Sequence, residues 1–94
     1  MHKNRKIRFY IDPETDLPHI FNHDVTEEEV LEVLRAPLED RKGRDGSRVT
    51  LGQTSTGRFL KIISLVEPGG AFVVTAMELQ RKPLLAFRRR RRRK

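Results

Sequence analysis

RVTLGQTSTGRFLKIISLVEPGGAFVVTAME, residues 48–78, is the stretch that decides the fold. Arg48 to Gln53 alternates between apolar and polar side chains, the period of a half-buried strand. Thr54-Ser55-Thr56-Gly57 is rich in turn formers, and Phe59 to Val66 is then apolar on both faces, which marks a central strand. Glu67-Pro68-Gly69-Gly70 turns the chain again, and Ala71 to Met77 is apolar throughout. Three strands joined by two short turns predict an antiparallel meander.

Upstream, Leu38 to Arg41 suits a short strand, and Lys42-Gly43-Arg44-Asp45-Gly46-Ser47 is a hairpin loop carrying an Asp-Gly turn signal. Before it lies Thr26-Glu27-Glu28-Glu29, a capping box in which the Thr26 hydroxyl and the Glu29 carboxylate each satisfy a free backbone donor. Val25 and Val30 form a hydrophobic staple around the cap, and three glutamates favour the positive end of the helix dipole. Val30, Leu31, Val33 and Leu34 make the apolar stripe, which Pro37 ends. At the start, Ile7-Arg8-Phe9-Tyr10-Ile11 predicts a strand with Ile7, Phe9 and Ile11 on the buried side, and Asp12 to Pro18 breaks it into a loop. Pro83 at an early position and Leu84 to Phe87 open a C-terminal helix. The expected class is α+β, a single antiparallel sheet in the order strand, helix, three- or four-stranded meander, helix. The expected organisation is one domain over residues 1–87 followed by a basic tail over 88–94.

Charge is distributed unevenly. Twenty Lys and Arg stand against thirteen Asp and Glu, yet taking away the seven basic residues Arg88, Arg89, Arg90, Arg91, Arg92, Arg93 and Lys94 leaves thirteen against thirteen. The net +7 therefore belongs to the C-terminal run, and the body is balanced. Blocks of like charge commonly meet polyanions, and a seven-charge stretch wholly engaged on single-stranded nucleic acid implies a salt slope of roughly −5. No aromatic residue lies within the run, so bases have no stacking platform there. Such a tail attracts RNA without selecting a sequence. Absence of cysteine excludes a disulfide framework and thiol chemistry. The positive N-terminus lacks a following apolar stretch, and no apolar run approaches the roughly 18 residues of a membrane span. A cytoplasmic protein with no membrane partner is expected.

No phosphate-binding glycine loop, metalloprotease helix or nucleophile elbow is present. Acid–base chemistry on a sheet face needs no such motif. His19 and His23 have a metal-like spacing but fall in a loop, so no metal and no cofactor is expected; His23 beside Asp24 is a candidate base. Arg41, Lys42, Arg44 and Arg48 cluster around one hairpin, either as a phosphate-contacting edge or as charges that guard an edge strand against aggregation. Lys61 among apolar neighbours needs the rim or a partner, for which Glu78 is a candidate. That pair is either a structural salt bridge or, with Arg48 and Arg58, a site where a carboxylate takes the 2′-hydroxyl proton of RNA and cations stabilise the phosphorane.

Three segments carry a family resemblance. His23-Asp24-Val25-Thr26-Glu27-Glu28-Glu29-Val30 resembles the "KHGVSFEEA" segment of BrnT-like toxins. Arg48 to Thr54 followed by Gly57-Arg58-Phe59-Leu60 is similar to their "R…IG.T..GR.L" stretch, and Val74 to Leu79 falls where they carry "ISAREA". Small bacterial proteins related to that group, some ending in arginine runs, look closer still. The resemblance implies a RelE-type fold and a toxin–antitoxin module, in which a metal-independent toxin cleaves RNA and a small acidic antitoxin blocks it. It puts Arg48, Arg58 and the region of Glu78 near the RNA site, and it sets Met77 where the family has an arginine.

Three functions follow as expectations. The first is a BrnT-like protein acting on RNA, as an endoribonuclease or an inactive descendant. In the enzymatic version Glu78 or His23 is the base, and Arg48, Arg58 and Lys61 stabilise the phosphate. The second is a non-catalytic module whose basic tail docks on RNA, the ribosome or an acidic partner protein, with Arg41, Lys42 and Arg44 as further nucleic-acid contacts. The third is an interaction protein that holds an acidic antitoxin-like chain. Convergence of Arg48, Arg58 and Lys61 on one open face supports the enzyme, whereas dispersed ion pairs support a structural role.

Overall fold

The computed structural model describes residues 6–92. Arg93, Lys94 and the stretch up to Arg5 lie outside the described residues, so the expectations for Arg93 and Lys94 are untouched. In chain order the elements are β1 (Lys6–Phe9), β2 (Ile11–Asp12), β3 (Leu17–Pro18), a 3₁₀ turn (His19–His23) and α1 (Glu27–Arg35). Then come β4 (Glu39–Lys42), β5 (Ser47–Gln53), β6 (Phe59–Glu67), β7 (Gly70–Glu78) and α2 (Arg81–Arg92). The class is α+β, and β5-β6-β7 is the antiparallel meander, extended on one side by β4.

Two features correct the expected single antiparallel sheet. The five-stranded sheet is mixed, in the order β1-β7-β6-β5-β4, because β1 lies parallel to β7. Parallel neighbours need a long crossover, and here everything between the two strands serves as one. The approach is close: a Cβ on Gly70 would sit 1.7 Å from the Lys6 carbonyl oxygen, so only glycine fits. Second, the strand stops at Phe9, and β2 with β3 makes a separate two-stranded ladder inside the predicted loop. Asp12 holds that loop by accepting the Glu14 N–H at 2.8 Å. Ile11, expected on the buried side, is consequently 47% exposed.

The helix signals act as read. Thr26 Oγ1 accepts from Glu29 N–H at 3.2 Å while Glu29 Oε1 accepts from Thr26 N–H at 3.0 Å. Val25 and Val30 are both buried, as a staple requires, and α1 ends at Arg35, capped by Ala36 just before Pro37. Its inner stripe, Val30 and Val33, packs with Ile20 and Val25 on Leu60, Ile62, Val73 and Ala76, with Ile7, Phe9 and Leu34 around them. Burying a side chain of this size stabilises by about 1.5–3 kcal/mol. A Cβ on Gly52 would stand 2.7 Å from Val33 Cγ1, so the glycine lets α1 settle onto β5. Val73 and Ala76 are three apart yet face the same core, because the register slips from Ile63↔Thr75 to Ser64↔Val73 and leaves Val74 as a bulge. Among the described residues no helix is long and apolar enough to cross a membrane.

The opposite face of the sheet is covered at one corner by α2. Phe87 is 1% exposed, its ring edge-on to Phe59 with centroids 5.8 Å apart. The arginines continue the helix through Arg92 despite their mutual repulsion. Four of them occupy the last turn, where cations meet the negative end of the helix dipole.

Candidate nucleic-acid interface

Of the predicted catalytic residues, Arg58 and Glu78 meet, whereas Arg48 and Lys61 lie apart from them. Arg58 precedes the first residue of β6, whereas Arg48 pairs with Ser64, six residues beyond Arg58 and roughly 20 Å away at the usual strand rise. Lys61 lies opposite Leu51 and Met77, on the face turned away from the core residues Leu60 and Ile62. Glu78 lies opposite Leu60, so it and Lys61 occupy different faces and the pair considered from sequence is not made.

Arg58 is instead a clasp within the fold. Its Nη1 donates to Glu29 Oε1 and Oε2, each at 2.9 Å, and to the Asp24 carbonyl at 2.9 Å. Its Nη2 donates to Glu78 Oε1 at 3.2 Å. Partial burial opposes the charge of Arg58, but Glu29 and Glu78 outweigh it and raise its pKa above the ordinary value. Burial likewise works against ionised Glu29, yet the Thr26 N–H and the Arg58 guanidinium hold its pKa below the ordinary value. One side chain thus joins the start of α1, the preceding loop and the end of β7. With its nitrogens committed to two carboxylates and a carbonyl, Arg58 has little left for a phosphate.

Arg48 is paired as well. Its Nη2 is 3.1 Å from Asp40 Oδ1, which also accepts from Thr50 Oγ1 at 3.3 Å. The group borders a recess of about 100 Å³ beside Leu34 and Pro37. His23 is exposed, its ring 5.3 Å from that of His19. The His19 Nδ1 stands 3.3 Å from Asp12 Oδ2, which accepts from Asn22 Nδ2 at 2.8 Å. Hydrogen bonds from Glu14 N–H, Asn22 and His19 lower the Asp12 pKa. Among the described residues no three His, Cys, Asp or Glu side chains come together as a metal site. On the edge strand Arg41 Nη1 is 3.5 Å from Glu39 Oε1, while Lys42 and Arg44 are exposed.

The arrangement with the clearest binding chemistry lies around α2. Arg90 Nε and Nη2 grip the two oxygens of Glu39 at 2.9 and 2.8 Å, and Arg91 Nη1 donates to the Leu38 carbonyl at 2.9 Å. The Arg90 hydrogen bond holds the Glu39 pKa below its ordinary value despite burial, and Glu39 raises that of Arg90. These two arginines fasten the helix to β4. Arg88, Arg89 and Arg92 are exposed, and Arg89 and Arg92 have no charge partner among the described residues. Beside α2 lies a cleft of about 400 Å³, bordered by Leu38, Gln53 and Phe59 from the sheet side and by Phe87, Arg88, Arg91 and Arg92 from the helix.

Phe59, Phe87, Glu39 and Leu38 were not singled out by their sequence context. Phe59 reads as one more core residue of a central strand. The available signal was the spacing of Leu84 and Phe87, which gives the arginine run an apolar face to dock with. No protein-family model, curated protein or solved structure matches this chain.

Proposed function

We propose that this protein binds RNA through the cationic C-terminal helix and does not cleave it. The observation that carries the reading is the sorting of α2's arginines, all of them exposed: Arg90 and Arg91 anchor the helix to Glu39 and Leu38, while Arg88, Arg89 and Arg92 make no ion pair with the body among the described residues. A basic helix fixed to a charge-balanced body presents phosphates with ordered cations, which lowers the ordering cost of binding relative to a loose tail. Its setting is the cytoplasm, where RNA or the ribosome is the partner.

The ion pairs support the non-catalytic reading. A phosphoryl-transfer site needs a carboxylate or imidazole and free cations within reach of one phosphate. Arg58 and Arg48 are each neutralised by carboxylates, they stand apart, and Lys61 faces away from both. An inactive descendant of BrnT-like toxins, with the RelE-type fold that the resemblance implies, accommodates these features and Met77 in place of the family arginine.

The test is fluorescence anisotropy of a labelled single-stranded RNA with wild type and with Arg89→Glu/Arg92→Glu, followed by gel analysis of the RNA. Tight binding by wild type, weakening on charge reversal and intact RNA are expected. Undiminished affinity after reversal contradicts the binding reading. Cleavage by wild type that is lost in Glu78→Gln establishes the endoribonuclease instead. Preferential capture of an acidic antitoxin-like chain over RNA assigns the same cations to a protein partner.

A further inference from the structure

The geometry points to a nucleobase site in the cleft beside α2, so that the RNA recognised is single-stranded; this rests on the RNA-binding reading and adds an aromatic platform to it. Leu38 and Phe59, backed by the buried Phe87, give the cleft an apolar wall, and Arg88, Arg91 and Arg92 give it a cationic rim. About 400 Å³ lies within the roughly 300–1,000 Å³ typical of small-ligand sites. An apolar wall with guanidinium groups at its rim matches the chemistry of one nucleotide: a flat base on the wall and phosphates at the rim. The arginine run contains no aromatic residue, and folding supplies one from β6.

Arg88 marks the stacking position. Its guanidinium carbon lies 5.4 Å from the Phe59 ring centroid, a flat cation on an aromatic plane. At an exposed position that cation–π contact is weaker than base–aromatic stacking. An entering base therefore takes the place over Phe59, and the Arg88 guanidinium moves to the adjoining phosphate, where it gains a charge-assisted hydrogen bond. Arg91 remains on the Leu38 carbonyl and closes the inner end. A duplex has its bases stacked in pairs, so it offers phosphates to the rim but no base to the wall.

The measurement compares a short single-stranded RNA with a duplex RNA, at one salt concentration, on the full chain and on Phe59→Leu. The expected results are tighter binding of the single strand, a loss of roughly 5- to 150-fold for Phe59→Leu, and an unchanged salt slope in that variant because no charge is removed. Phe59→Tyr keeps the ring and should retain the affinity. Equal affinity of folded Phe59→Leu and wild type overturns the base site and leaves the cationic reading standing. No binding of either RNA by wild type removes both. Should Phe59→Leu fail to fold, photo-crosslinking of wild type to 4-thiouridine RNA decides: an adduct on the peptide containing Phe59 supports the site, and adducts confined elsewhere overturn it.

Discussion

Both oxygens of Glu29 accept from Arg58 Nη1 at 2.9 Å while the same carboxylate closes the capping box on Thr26. The start of α1 and the β5–β6 turn are therefore locked by one ion pair, and that pair is part of the fold's frame. Arg58→Ala leaves Glu29 partly buried and without its cation, a loss of about 1.5–3 kcal/mol. Urea unfolding should register it as a lower midpoint at unchanged slope. Arg58→Lys recovers only part, since a single ammonium cannot serve Glu29, Glu78 and the Asp24 carbonyl together. Stability equal to wild type in Arg58→Ala would argue that the arginine is idle in the fold and available to substrate.

The Glu29 pairing also sets an acid dependence. Its pKa in the fold lies below the ordinary 4.5, since Thr26 N–H and Arg58 outweigh the opposing effect of burial. A lowered carboxyl contributes stability in full above its ordinary value and loses it as pH falls through the folded value. Stability should thus be flat above about pH 5 and decline below it, with a shallower decline in Glu29→Gln. Thermal melts across pH 3 to 7 check this.

The anchoring of α2 can be tested apart from RNA. Glu39→Gln removes the carboxylate that grips Arg90 and leaves Phe87 in place. The pair is partly solvated, so the global cost is about 0.5–1 kcal/mol. The local effect is larger: trypsin should cut within Arg88–Arg92 several times faster at low salt, and wild type should approach the variant as salt rises. Identical cleavage patterns at all salt concentrations would show that the ion pair does not hold the helix.

Two glycines carry the packing of the sheet. Gly70→Ala forces a Cβ into the Lys6 carbonyl and should detach β1, seen as loss of amide protection over Lys6–Phe9. Gly52→Ala meets the branched Val33 Cγ1 at 2.7 Å and should cost about 1–3 kcal/mol by overpacking.

Much of this architecture was legible because it is local. The capping box at Thr26, the Asp45-Gly46 turn and the strand over Arg48 to Gln53 each act within a few residues and each forms, although Thr50, Leu51 and Gly52 are buried in succession rather than alternately. What escaped is set by partners distant in sequence. The parallel union of β1 with β7 joins Lys6 to Gly70, and the Val74 bulge exists only through the β6 register. Charge pairing escaped for the same reason. Composition names the cations and the carboxylates, but only the sheet's faces decide that Arg58 meets Glu29 and Glu78 while Lys61 faces away. In sequence the arginine run is one basic block whose helical extent stays open. Helical geometry divides it into Arg90 and Arg91, which hold the body, and Arg88, Arg89 and Arg92, which make no ion pair with it among the described residues.

That division has a direct readout in the salt dependence of RNA binding. Seven cations engaged on a single strand give a slope of log K against log salt of roughly −5, whereas five, with Arg90 and Arg91 retained by the body, give roughly −3.5. The account predicts the shallower slope for wild type, a further flattening in Arg89→Glu/Arg92→Glu, and intact RNA throughout. Salt-independent binding, a slope unchanged by the double reversal, or cleavage of the RNA would contradict it.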